Sequence, residues 1–97
     1  MKNGWNYLWE YCGVLYSDHT KYDLTIDYIF DKNKGYLIEI WSGKYKNKKS
    51  YPNLSNYSTL GLHRVESKGE ECWGTDYIVD PKIAKSKLIE IANWIDT

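Results

Sequence analysis

The chain carries "DLTIDYIF" at residues 23–30, "DKNKG" at 31–35 and "YLIEIW" at 36–41. Two alternating apolar runs separated by a short polar link ending in glycine read as a β-hairpin. Gly35 can supply the positive φ that such a turn needs. Placing Phe30 opposite Tyr36 sets Tyr28 against Ile38 and Ile26 against Ile40. Those six residues then share one face, as a core face requires. The other face carries Thr25, Asp27, Ile29, Leu37, Glu39 and Trp41. In this register Asp27 lies opposite Glu39. Like charges directly across a ladder repel, so the pair calls for a cation. A lysine on the next strand is the simplest source.

Downstream, "DPKIAKSKLIEIANWI" (80–95) is the clearest helix. Asp80 suits the N-cap and Pro81 the first helical position. Ala84, Leu88, Ile91, Ala92 and Ile95 fall on one stripe, with Ile83 and Trp94 at its flanks. Between hairpin and helix, "TLGLHRVES" (59–67) and "CWGTDYIVD" (72–80) read as another strand pair around "KGEE", with Gly61 and Gly74 as candidate bulges. Residues 43–58 lack periodicity and read as an exposed loop. Upstream, "WNYLWEYCGVLY" (5–16) fits a strand with Trp5, Tyr7, Trp9 and Tyr11 on one face. It equally fits a helix with Trp5, Leu8, Trp9, Cys12 and Tyr16 on one stripe. Its aromatic and β-branched content favours strand over 11–16. "SDHTK" (17–21) would turn the chain into the hairpin. The expected architecture is α+β over one domain, 1–97: an antiparallel sheet of four to five strands with the C-terminal helix packed across one face.

Composition narrows the function. The 97 residues hold ten Tyr and five Trp but one Phe. Each Tyr and Trp brings a polar atom that wants a partner, and a core this small cannot satisfy fifteen. Several rings are therefore expected at the surface, where Trp and Tyr favour binding interfaces. Thirteen basic and thirteen acidic residues give a formal net charge of zero, and Arg64 is the only arginine. That balance removes the whole-protein field that draws nucleic acid or anionic membrane. No apolar run approaches the roughly 18 residues of a membrane span, and no leader pattern opens the chain. The expectation is a cytoplasmic protein with free Cys12 and Cys72, although spacing alone leaves a single bridge between them open.

The chemistry-bearing residues are sparse. Cys12, His19, His63 and Cys72 are the only soft metal ligands, and their spacings match no structural zinc pattern; two buried thiols and two surface histidines account for them. Cys72 follows Glu70 and Glu71, whose charge disfavours a reactive thiolate. No phosphate-cradling loop and no nucleophile elbow occurs. Asp27/Glu39 and Glu70/Glu71/Asp76 are the only carboxylate groupings that could serve a hydrolase. No catalytic set, metal site or cofactor is expected. "KYKNKKSY" (44–51) interleaves Lys44, Lys46, Lys48 and Lys49 with Tyr45 and Tyr51, the composition of a single-strand nucleic-acid binder, and equally of an ordinary soluble loop. "GEECWGTDY" (69–77) sets Trp73 among Glu70, Glu71 and Asp76. With the ring outward this is an acidic protein-binding patch with an aromatic anchor; with the ring inward it is a solvated turn.

In length, in the hairpin "DYIFDKNKGYLIEIW", in Trp/Tyr richness and in the terminal helix, the chain resembles the small bacterial immunity proteins of contact-dependent inhibition and polymorphic toxin systems. The resemblance implies a non-catalytic cytoplasmic inhibitor that binds a cognate toxin domain, a basic nuclease among the kinds such proteins block. Glu70, Glu71, Trp73, Asp76, Tyr45 and Tyr51 are the partner-binding candidates. Phage-encoded inhibitors of host defence share the same style, and a single-stranded nucleic-acid module using residues 44–51 is the alternative of another class.

Overall fold

A computed structural model describes residues 4–6, 9–11, 14–51, 60–65 and 70–96. Strands β1 (Trp9–Tyr11), β2 (Val14–Asp18), β3 (Leu24–Asp31), β4 (Gly35–Ser42), β5 (His63–Val65) and β6 (Glu71–Gly74) precede helix α1 (Pro81–Asp96). They form one antiparallel sheet in the order β1-β2-β3-β4-β6-β5. Its body is β2, β3, β4 and β6; the three-residue strands β1 and β5 are its two edges. Helix α1 packs on one face, which gives the α+β architecture expected from the sequence.

The central hairpin has the register that alternation implies: Phe30 opposite Tyr36, Tyr28 opposite Ile38, Ile26 opposite Ile40 and Asp27 opposite Glu39. Gly35 has φ 106°, and a Cβ there would lie 2.5 Å from the Ile78 carbonyl oxygen. The turn is braced by Asp31, whose Oδ1 accepts the amides of Asn33 and Lys34 at 2.8 and 3.0 Å.

Leu24, Ile26, Ile38 and Ile40 meet Leu88, Ile91, Ala92 and Ile95 in the core, so the helical stripe packs where its spacing requires. Asp80 Oδ1 accepts the Lys82 amide at 2.8 Å and the Asp80 carbonyl accepts from Ala84, which starts the helix at Pro81. Trp5 is buried beside its far end and donates from the indole to the Ala92 carbonyl at 3.3 Å.

Three local expectations change. The segment 5–16 is neither one strand nor a helix. Trp5 bridges to His19, and 9–11 pairs with 14–18 as β1 and β2, with Tyr11 opposite Val14. Residues 7, 8, 12 and 13 lie outside the described set, Cys12 among them. Ser17 and Asp18 extend β2 rather than turn the chain. His19 is not a surface histidine: it is 3% exposed, and its Nδ1 accepts the amides of Lys21 and Tyr22, both at 3.1 Å. A ring acceptor that closes the β2–β3 link belongs inside, where water cannot compete for it.

Candidate functional site

Of the six partner-binding residues expected from the sequence, the structure brings three together. Tyr45, Glu70 and Glu71 line an open cleft of about 490 Å³ between the loop after β4 and the start of β6. Lys46, Lys48 and Arg64 line it too, so its charge is mixed rather than acidic. Arg64 lies 4.0 Å from Glu71.

The other three candidates lie elsewhere. Trp73 sits opposite Ile40 and packs against the core on the helix side of the sheet. The inward alternative therefore describes its ring. Tyr51 is a core residue, 9% exposed, in edge contact with Tyr22 at 5.0 Å between ring centroids. Burial of this ring takes it away from any partner. Asp76 is exposed, 3.6 Å from His63 Nε2. Glu71 and Asp76 stand beside Arg64 and His63 respectively, and the inward Trp73 ring is not an anchor between them.

In the loop 44–51, Tyr45, Lys48 and Tyr51 are engaged within the fold, while Lys44, Lys46 and Lys49 stay exposed. Asp23, 7% exposed, accepts the Gly43 and Tyr45 amides at 2.9 and 2.7 Å. Tyr45 donates to Asp18 Oδ2 at 2.7 Å; desolvation and that carboxylate push its phenol up to about 12. Lys48 donates to the His19 carbonyl at 2.8 Å and lies 4.5 Å from the Tyr45 ring centroid. Lys44 lies over the rings of Tyr16 and Tyr45. These contacts occupy the Tyr45 ring and the Lys48 ammonium, which a base or phosphate would otherwise use.

The helix-free face holds the carboxylate pair. Desolvation first, then repulsion from Glu39, raises the Asp27 carboxyl from 3.8 to about 6, while Lys44 pulls the other way. The cation therefore comes from the loop after β4, not from a neighbouring strand: β2 sets Tyr16 opposite Asp27, and β6 sets Gly74 opposite Glu39. Cys72 is buried on this face and donates its thiol to Glu39 Oε2 at 3.7 Å. Burial and the Glu39 charge push that thiol up to about 12, which makes it a hydrogen-bond donor and a poor nucleophile. Among the described residues no three His, Cys, Asp or Glu side chains converge as a metal site. No described helix is long and apolar enough to cross a membrane.

Sequence reasoning missed the surface that stands out most. Phe30 (54% exposed), Tyr77, Val79 (81%) and Ile83 (59%) are four of the six large hydrophobics exposed among the described residues. Phe30, near the turn of the β3–β4 hairpin, shares the helix-side face with Tyr36 and Ile78, while Tyr77 and Val79, on either side of Ile78, alternate to the other face. Phe30 touches Tyr36, with ring centroids 4.9 Å apart, and Tyr36 stacks on Tyr28 at 5.3 Å. Tyr36 exchanges backbone hydrogen bonds with Ile78 at 2.8 and 2.7 Å, which brings 77–79 alongside Gly35. Helix α1 starts two residues after Val79, with Ile83 in its first turn. The available signals were Phe30 at the end of an alternating strand and Val79 and Ile83 outside the helical stripe.

Comparison of the chain with protein-family models, with curated proteins and with solved structures finds no match.

Proposed function

We propose that this chain is a non-catalytic binding domain that neutralises a protein partner by one-to-one contact, as the toxin-immunity proteins it resembles do. The observation that carries the reading is the exposure of Phe30, Tyr77, Val79 and Ile83, large apolar side chains on the hairpin end and on the segment 77–83 that Ile78 joins to it. Large apolar side chains left in water by adjoining segments point to an interaction site. Beneath it, Tyr36 is held between Phe30, Tyr28 and the Ile78 backbone. A preorganised surface of this kind binds without a large ordering cost. The natural partner on this reading is a toxin domain; a host-defence protein met by a phage inhibitor would use the same surface physics.

The experiment is co-purification of the tagged full chain from its native host, followed by size and stoichiometry of what it holds. A one-to-one complex that dissociates when Phe30→Ser and Val79→Ser are combined is the expected outcome. A chain that emerges alone from host extract, or a complex indifferent to both substitutions, removes this surface as the basis of function.

A further inference from the structure

Helix α1 covers one face of the sheet; among the described residues no helix or strand covers the other. The register fixes what stands on that second face. Tyr16, Asp27 and Glu39 lie abreast on β2, β3 and β4. Ile29 pairs with Leu37 on one side of that row, and Trp41 with Cys72 on the other. Tyr16, Ile29, Leu37 and Trp41 are half-buried, and none belongs to the core cluster under the helix. Val65, opposite Cys72, is exposed at the sheet edge. Tyr77 and Val79 alternate to the same face and are exposed as well.

The charge at the centre of this face is unbalanced. Among the described residues Asp27 has no hydrogen-bond or salt-bridge partner, and Glu39 accepts the Cys72 thiol alone. Asp18 is spent on Thr25 and Tyr45. Lys44 rests 5.5 and 5.3 Å from the ring centroids of Tyr16 and Tyr45 instead of bridging the pair. His63, in the same row beyond Gly74, faces Asp76 at 3.6 Å. Burial, then Glu39 and Asp18, disfavour a charge on Asp27, and Lys44 offsets them in part. Like charges across a ladder cost stability. A local rule broken without internal compensation is what a functional site looks like.

Resting on the protein-binding reading above, with which it shares Tyr77 and Val79, we propose that the helix-free face docks a protein segment that presents a lysine or arginine among apolar side chains, its cation set between Asp27 and Glu39. The apolar residues exclude water, and the carboxylates supply charge-assisted hydrogen bonds, the strong kind. Complementary charge also selects the partner. The same pair repels an anionic bilayer. A second copy brought face to face by a two-fold axis would set one carboxylate pair against the other.

The test presents the full chain to a displayed library of randomised peptides. The expected result is enrichment of peptides in which a Lys or Arg is flanked by apolar residues. Their binding should weaken at least about tenfold in Asp27→Asn/Glu39→Gln, and should fall with added salt. The carboxamides keep the shape of both side chains and relieve their repulsion. The double variant should therefore melt no lower than the parent, so a lost contact is not a lost fold. If it does unfold, Asp27→Asn alone carries the same test. Enrichment of Glu- or Asp-bearing peptides, no enrichment, or equal binding by the folded variant overturns the proposal. A dimer in sedimentation that tightens in the variant overturns it in favour of a second copy. The two proposals fail separately. A host complex that survives Asp27→Asn/Glu39→Gln leaves the protein-binding reading standing and ends this one. Lys- or Arg-bearing peptides selected by a chain that captures nothing in its host do the reverse.

Discussion

The two ends of the β3–β4 hairpin are built on opposite principles. At the open end, where β3 begins and β4 stops, polar groups point inward and are used up. Asp23 holds two loop amides, Asp18 takes Tyr45 and Thr25, and His19 takes two amides of its own. At the turn end, among the described residues, the side-chain bonds to backbone are short-range caps, and Phe30, Tyr77 and Val79 stay exposed. A chain with so many phenols and indoles was expected to leave several outside. Among the described residues the Tyr and Trp rings instead sit mostly half-buried, and only Tyr77 of them is exposed, beside Phe30 and the aliphatic Val65, Val79, Ile83 and Ile89. The lesson is that ring count measures how many polar atoms a fold must satisfy, not how many rings it shows.

Removing the polar keystone of the open end should have the largest effect on stability. Asp23→Ala strips two buried-side amides of their acceptor, and each lost bond to a carboxylate is worth about 1.5–3 kcal/mol. Chemical denaturation should show a loss of about 2–4 kcal/mol, since water can rescue part of it. A loss under about 1 kcal/mol would mean that the loop after β4 is not pinned as the geometry says. At the turn end the comparable substitution is Gly35→Ala. Its φ of 106° and the close Ile78 carbonyl make a methyl doubly unwelcome. The expected cost is about 1–3 kcal/mol, and an unchanged melting temperature would show that the 77–79 segment moves aside freely.

Midway between the ends, Asp27 and Glu39 repel across the ladder. Asp27 holds its proton up to about 6 in the fold, against 3.8 ordinarily. Below 3.8 the group is protonated folded or unfolded and costs nothing. As pH rises through about 6 the folded state is forced to ionise a carboxyl that the unfolded chain ionises easily, and stability falls. Asp27→Asn should therefore stabilise the protein by about 1–2 kcal/mol at pH 7, a figure discounted for solvent screening. The gain should fade towards pH 4. A hydrolase built on this pair would instead lose an activity in the same variant. Denaturation curves at several pH values separate the outcomes: a variant less stable than the parent at pH 7 breaks the repulsion argument.

What was legible in the sequence was local. Alternation set the hairpin register and Asp80–Pro81 with a 3.6-residue stripe set the helix, because both patterns are satisfied by neighbours along the chain. The order of the sheet was not legible. Nothing in "ECWG" says that β6 slots between β4 and β5, and that placement is what turns Trp73 to the core and Cys72 to Glu39. The same non-local pairing joined Tyr45, Glu70 and Glu71 while scattering Trp73, Tyr51 and Asp76. The apolar surface escaped notice for a related reason. Phe30 continues the core alternation without interruption, and only the position of α1 decides where along β3 that face stops being covered.

The smallest stability effect belongs to the turn end, and it is the most diagnostic. Phe30→Ser and Val79→Ser remove side chains that are 54% and 81% exposed. Val79→Ser should shift stability by no more than about 0.5 kcal/mol, as surface substitutions do. Phe30→Ser should cost somewhat more, because its ring touches Tyr36 and an aromatic pair is worth about 0.5–1.5 kcal/mol. If these residues were kept for folding, their loss would show in the melting temperature as clearly as that of Asp23. If they face a partner, the melting temperature holds and the complex fails. A large drop in stability from Val79→Ser alone would place that side chain in the fold's own interior economy and erase the contrast between the two ends.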